Sequence, residues 1–172
     1  MRRLLFDGLT KPPLTEAGPD GAEIAALAAT LDAGARAVLG RSLSIRQVDA
    51  GSCNGCELEI NALGNAFYDL ERFGLRFVAS PRHADVLLVT GPVTKNMAEA
   101  LKRTYDATPG PKWVVAAGIC AVDGGLFAGS YACLSGVGAV LPVDLVIPGC
   151  PPTPTALLTG MIALMAKGAA KG

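Results

Sequence analysis

The sequence has no excess charge of either sign and few aromatic side chains. Fifteen Lys and Arg residues balance fifteen Asp and Glu residues among the 172, and aromatic residues make up 5% of the chain. A protein without a net positive field has no general attraction for nucleic acid or for an anionic membrane surface. The composition therefore predicts no nucleic-acid-binding role.

Long apolar runs are also missing. The best candidate, 156–166, is about half as long as the roughly 18 to 20 apolar residues that a membrane-spanning helix needs. We therefore expect no direct membrane span. The first twenty residues carry Arg2 and Arg3, but the apolar stretch that follows is too short and too interrupted for a signal peptide. This indicates a cytoplasmic location.

Cysteines are too few for a disulfide framework. There are five, an odd number, and they are not arranged as the dense set of a small secreted domain. We expect them to be reduced or bound to metal. Gly (21) and Pro (12) are frequent instead, which indicates tight loops, and 51% hydrophobic residues supply enough material for one core.

Strand and helix patterns alternate along the chain. Several nearly continuous apolar runs suit the strands of a parallel sheet covered on both faces. The predicted strands are 43–48, 75–79, 86–89, 113–117 and 143–147, and the predicted helices are 23–39, 57–70, 94–105 and 155–167. This order predicts an α/β fold with a flavodoxin-like, three-layer open parallel sheet. We expect an extended N-terminal arm over 1–22 and a single domain over 23–172.

Four cysteines each follow a predicted strand. Cys53 and Cys56 come after the first strand, Cys120 after the fourth and Cys150 after the fifth. Ligands of open parallel sheets bind in loops beyond the carboxyl ends of the strands. We therefore expect four thiolates at one edge of the sheet, a set that can hold either zinc or an iron-sulfur cluster.

The surroundings of these cysteines favour the cluster. Structural zinc sites usually come as two close pairs, whereas here one pair is joined by two distant single cysteines. Gly and Pro flank each cysteine, so backbone amides can approach the sulfur atoms. The Cys53–Cys56 pair alone is also compatible with a thioredoxin-like dithiol, a zinc half-site or two buried thiols. Cys133 lacks such neighbours, and we interpret it as a small buried residue.

Four ordered segments form a specific combination. They are GSCNGCE (51–57), SPRHAD (80–85), GICAVDGGLF (118–127) and PVDLVIPGCPP (142–152). Together they resemble the small subunit of group 4 membrane-associated NiFe hydrogenases, such as those of formate hydrogenlyase complexes. They also resemble its relative, the cluster-bearing B subunit of respiratory complex I, an NADH-quinone oxidoreductase. The resemblance covers about residues 44–166, so the first forty residues lie outside it.

The resemblance implies an oxidoreductase subunit that is active only within its complex. It implies one 4Fe-4S cluster, proximal to the active site of the large subunit and bound by Cys53, Cys56, Cys120 and Cys150. The nickel ligands would belong to the large subunit, so no catalytic residue is expected in this chain. The implied partners are a NiFe-type large subunit, a ferredoxin-like iron-sulfur subunit and membrane-arm subunits. The complex would lie peripherally on the inner face of the cell membrane.

Two departures from complex I favour the hydrogenase. Two residues separate Cys53 from Cys56, whereas complex I subunits characteristically have adjacent cysteines there. Thr153 stands before Pro154, where the complex I relatives commonly carry Arg. A complex I-type subunit that passes electrons to quinone and a non-redox, zinc-stabilised scaffold protein stay open as alternatives.

Three further residues in the matched segments have less specific roles. Glu57 starts a predicted helix, and we expect its negative charge to complement the positive end of the helix dipole. A role in a proton relay is the more specific alternative. Arg82 is expected to contact a partner. His83 is the single histidine of the chain, so we interpret it as a surface or interface residue with no catalytic or metal role.

Overall fold

A five-stranded, all-parallel sheet forms the centre of the computed structural model, which describes residues 18–169. The strand order is β2-β1-β3-β4-β5. The strands are β1 (Ser44–Asp49), β2 (Arg76–Phe77), β3 (Val86–Thr90), β4 (Trp113–Ala117) and β5 (Leu145–Ile147). The predicted α/β class and parallel sheet are thus confirmed.

In the described part of the chain, five α-helices lie around the sheet, with four short 3-10 helices between them. The helices are α1 (Gly21–Leu39), α2 (Gly55–Ala62), α3 (Lys95–Ala107), α4 (Ile119–Asp123) and α5 (Pro154–Ala169). The 3-10 turns are Leu70–Phe73, Pro81–His83, Gly125–Phe127 and Val137–Ala139. Among the described residues, no helix has both the length and the apolar character that crossing a membrane requires.

Helix α1 begins slightly before its predicted start. The Asp20 side chain accepts a hydrogen bond from the Ala22 N–H, and Gly40 ends the helix in the left-handed conformation. The predicted arm over 1–22 falls largely on residues 1–17, which lie outside the described part, so it stays a prediction.

Apolar side chains cover both faces of the sheet. Alternate residues of β3 point in opposite directions, because side chains alternate along a strand. Leu88 belongs to the core formed with α1, α2 and α5, whereas Leu87 belongs to the core formed with α3 and α4. All five residues of β3 are buried. This explains its uninterrupted apolar sequence and confirms the three-layer arrangement.

The prediction of a helix over 57–70 was wrong at its C-terminal end. Helix α2 begins at Gly55 and ends at Ala62. The Asn65 side chain accepts hydrogen bonds from the N–H groups of Phe67 and Tyr68, which turns the chain out of the helix. Leu70 is buried all the same, from a 3-10 turn. The apolar spacing therefore identified a buried side chain but not the helix end.

Candidate metal centre

Four of the cysteines line one cavity of about 90 Å³. The cavity lies beyond the carboxyl ends of β1, β4 and β5, and its cysteines are Cys53, Cys56, Cys120 and Cys150. The structure thus brings together the four residues that the sequence singled out. Cys133 does not line this cavity; it is half-buried and pairs with Thr94 in an isolated β-bridge.

The last residue of β1 shapes the loop that carries the first two cysteines. One carboxylate oxygen of Asp49 accepts hydrogen bonds from the N–H groups of Gly51 (2.8 Å) and Ser52 (2.7 Å). Asn54 then adopts a left-handed conformation with φ of 71°, and α2 starts directly after it. The loop therefore delivers Cys53 before the helix and Cys56 within its first turn.

Glu57 is buried beside this loop, with 7% of its surface exposed. The Ser52 hydroxyl donates a hydrogen bond of 2.6 Å to its Oε2, and the Asn54 N–H donates to the Ser52 hydroxyl oxygen. Among the described residues, the other oxygen, Oε1, is buried without a hydrogen-bond partner. Glu57 lies in the first turn of α2, as expected for a charge that complements the helix N-terminus. The Ser52 contact was missed, because serine in a glycine loop carries no distinctive signal.

Two glycines leave room for the thiols. Gly118 has φ of +89°, and a Cβ there would lie 2.6 Å from the Cys56 sulfur. Gly125 has φ of +49°, and a Cβ there would lie 2.8 Å from the Cys120 sulfur. Both the conformation and the space exclude a side chain, so these positions are part of the site.

Backbone hydrogen bonds hold the third and fourth cysteine loops together. The Gly118 N–H donates to the Ile147 carbonyl at 2.8 Å, and the Ile119 N–H donates to the Gly149 carbonyl at the same distance. Cys120 lies on the short helix α4, for which the sequence pattern gave no prediction. Its loop is therefore anchored to the loop that carries Cys150.

Two of the thiols at this site, those of Cys56 and Cys120, have raised pKa values. Burial is the main reason that the pKa of Cys56 is raised to about 11, and negative charge at Glu57 and at the other three site cysteines acts in the same direction. Burial also raises the pKa of Cys120, although a backbone hydrogen bond with Leu126 lowers it. Four thiolates at this edge thus need a positive partner, and binding a metal would release protons.

The four thiols share a cavity, which is the geometry that defines the site. As they stand, no three His, Cys, Asp or Glu side chains across residues 18–169 lie close enough to hold one metal ion.

The other residues singled out in the sequence lie away from the cavity. Arg82 and His83 are exposed on a 3-10 turn and do not line it. Asp85, in the same motif, is buried and accepts two hydrogen bonds from the Arg41 guanidinium (2.9 and 2.6 Å) and one from the Ser44 N–H (2.9 Å). Its role is structural, because it joins β1 to the start of β3.

Exposed apolar side chains flank two of the site cysteines in the chain. Leu58 is 61% exposed and follows Cys56 on α2. Three more belong to the segment around Cys120, and together with Leu58 they form what we call the apolar rim: Leu58, Ile119, Leu126 and Phe127. Ile119 also lines the cysteine cavity, and exposed apolar side chains beside a binding site are often covered by a partner protein.

Known proteins are similar to this chain both in sequence and in fold. The family model described as NADH ubiquinone oxidoreductase, 20 Kd subunit, matches residues 53–164, which include all four site cysteines. A probable membrane-bound hydrogenase subunit of Pyrococcus furiosus, mbhJ, is 47% identical over 129 residues, which span 75% of this chain and 77% of that protein.

A solved structure supports the same assignment. One chain in the structure of the membrane-bound sulfane sulfur reductase, an archaeal respiratory membrane complex, is 37% identical and has a TM-score of 0.67. The match covers 82% of this chain and 76% of that chain. On the family model and the hydrogenase relative, this chain belongs to the NADH ubiquinone oxidoreductase 20 Kd subunit family.

Proposed function

We propose that this chain is the electron-transfer subunit of a membrane-associated NiFe hydrogenase complex. It would carry one 4Fe-4S cluster, proximal to the active site of the large subunit. The observation that carries the proposal is that four thiols from three separate loops line one cavity. Four cysteine thiolates are the usual ligands of a 4Fe-4S cluster, which supplies one-electron transfer.

The spacing of the ligands supports a cluster over a zinc ion. Structural zinc sites usually come as two close pairs of ligands, whereas here one pair, Cys53 and Cys56, is joined by two distant single cysteines. The non-redox zinc scaffold is therefore the weaker hypothesis.

The protein around the cavity is suited to hold and tune such a cluster. Cys53, Cys56, Cys120 and Cys150 would supply the thiolates. The backbone of Leu126 forms a hydrogen bond with Cys120 that lowers its pKa, so this bond favours a negatively charged sulfur. Hydrogen bonds to cluster sulfurs and burial are the means by which proteins set cluster potentials.

The apolar rim supports the proposal that a partner subunit binds at the same edge of the sheet. Leu126 is 90% exposed beside the Cys120 loop, and burying such a residue against another protein removes apolar surface from water. A cluster at this edge would then lie close to the docked protein, as electron transfer requires. We propose a NiFe-type large subunit in this place, with a ferredoxin-like iron-sulfur subunit and membrane-arm subunits completing the complex on the inner face of the cell membrane.

One comparison favours a second candidate. The relative in the sulfane sulfur reductase complex shows that this fold also serves a complex named for another reaction. The chain would then relay electrons to a different acceptor, such as quinone in complexes of the complex I type. Assays of the intact complex for hydrogen uptake and for quinone reduction distinguish the two, since only a hydrogenase partner supports hydrogen uptake.

Metal analysis after anaerobic purification tests the cluster itself. We expect about four iron and four sulfide per chain and an electron paramagnetic resonance signal after reduction with dithionite. Stoichiometric zinc without iron would overturn the proposal.

A further inference from the structure

Glu57 places a buried carboxylate directly after a cysteine of the site. We propose that Glu57 provides a fixed negative charge that opposes the arrival of an electron at the cysteine site and so lowers the reduction potential of the bound cluster. The inference rests on the proposed function, because it takes the site to hold an electron-carrying cluster. It assigns to a residue of this chain, outside the ligand set, the tuning of that cluster.

One hydrogen bond links this carboxylate to the wall of the cysteine cavity. Ser52 lines the cavity, and its hydroxyl donates to Glu57 Oε2 at 2.6 Å. Bonds from a hydroxyl to an ionised carboxylate are about 2.5–2.7 Å long, shorter than most hydrogen bonds between neutral groups. The contact therefore supports a negatively charged Glu57 close to the cavity.

The described residues leave this charge without a cation to neutralise it. Glu57 Oε1 is buried without a hydrogen-bond partner, and the ion pairs found across residues 18–169 do not include Glu57. The residue is 7% exposed, so water screens its field much less than it screens the field of a surface carboxylate. The charge therefore acts on the groups around it.

The N-terminus of α2 stabilises this charge. Cys56 and Glu57 both lie in the first turn, where the unpaired N–H groups of a helix create a positive field. That field alone would favour additional negative charge on the cysteine site. The Glu57 carboxylate is stabilised by the field and cancels part of it, so the site is less attractive to an electron than the helix end would make it.

The effect of this charge is visible at the neighbouring thiol. Burial is the largest cause of the raised pKa of Cys56, and negative charge at Glu57 comes next, ahead of that at the other three site cysteines. A field that disfavours a negative sulfur also disfavours reduction of a cluster bound to it, because both add negative charge. A more negative potential makes the reduced site a stronger electron donor, which suits the proposed delivery of electrons to the NiFe centre.

Redox titration of the intact complex, followed by electron paramagnetic resonance, tests this role. Glu57→Gln removes the charge and keeps the size of the side chain. At a potential fixed near the native midpoint we expect an about tenfold higher ratio of reduced to oxidised cluster, which for one electron is a shift of about 59 mV to a more positive value. Glu57→Asp keeps the charge and should change the ratio by less than about threefold. An unchanged or lower ratio in Glu57→Gln would overturn the proposal.

Asp123→Asn is the matched control, because it removes an exposed carboxylate near another site cysteine. Burial and the negative charge of other groups raise the pKa of Cys120, and Asp123 is among these charges. Asparagine keeps an oxygen that can accept the hydrogen bond from the Gly125 N–H. Solvent screens an exposed charge, so we expect the ratio to change by less than about twofold. Equal shifts in this variant and in Glu57→Gln would contradict a role for the buried charge.

Iron content is measured in the same preparations. Native complex with zinc in place of iron would contradict the proposed function, and this inference with it. Native iron content and equal potentials in native complex and Glu57→Gln would contradict the inference alone. Loss of iron in Glu57→Gln would give the carboxylate a role in holding the cluster and would overturn the tuning role, while the iron of the native complex would still support the proposed function.

Discussion

The four site cysteines differ from Cys133 in their surroundings more than in their chemistry. Glycines and prolines beside them were visible in the sequence and indicated a site with close backbone approach. Which glycine makes room for which sulfur was not visible, because Gly118 meets Cys56 from a loop about sixty residues away. Contacts of this kind depend on strand order, which spacing alone does not give.

Removing one site thiol should remove the cluster. We expect Cys150→Ala to lose most of its iron, because one of four thiolate ligands is gone. Cys133→Ala, a matched change outside the cavity, should keep native iron content. Anaerobic iron and sulfide analysis of both variants checks this, and equal losses would show that the ligand set is misassigned.

The glycine requirement can be tested separately. Gly118→Ala puts a methyl group 2.6 Å from the Cys56 sulfur, at a backbone φ of +89° that alanine rarely adopts. We expect a clear drop in iron content. Gly138→Ala serves as the control, since a Cβ there meets nothing within 4 Å. If both variants bind iron like the native chain, Gly118 is not part of the site.

At the scale of helices and strands, the central part of the sheet was the most predictable. Strand β4 was predicted with its observed ends, and β3 within one residue, because buried parallel strands have continuous apolar sequences. Helix α4 was not predicted, since five residues are too short for a helical period. The last turns predicted for α2 are absent, because the Asn65 side chain accepts local hydrogen bonds that turn the chain out of the helix.

Asp85 should stabilise the junction between β1 and β3. Asp85→Ala removes both hydrogen bonds to Arg41 and leaves the buried Ser44 N–H without its acceptor. We expect a loss of about 2 kcal/mol in the free energy of unfolding. Glu99→Ala, which breaks an exposed pair with Arg103, should cost no more than about 0.5 kcal/mol. Urea unfolding of the two variants measures the difference, and similar losses would contradict this role.

At the scale of the whole molecule, topology places the site. Three loops that are far apart in sequence meet at one edge because β1, β4 and β5 are parallel and end together. The order of strands and cysteines along the sequence predicted this convergence. The apolar rim was not predictable in this way, because an exposed apolar side chain has no periodic signal in the sequence.

The rim should contribute to assembly without affecting the cluster. For Leu126→Asp we expect less catalytic subunit to co-purify. The Leu126 side chain is 90% exposed, and the substitution would put a charged carboxylate at the proposed interface in its place. Lys102→Asp changes charge on exposed α3 and should leave co-purification unchanged. Iron content should stay native in both. Loss of iron in Leu126→Asp would show that the Leu126 side chain, and not only its backbone bond with Cys120, belongs to the metal site.

Electron paramagnetic resonance of the intact, reduced complex tests the central claim most directly. Native complex is compared with complex in which this chain carries Cys56→Ala. We predict that one signal of a reduced 4Fe-4S cluster is absent from the variant, while the signals of the other subunits remain, because the cavity loses a thiolate ligand. Identical spectra from the two complexes, both fully assembled, would contradict an electron-carrying cluster at these four cysteines.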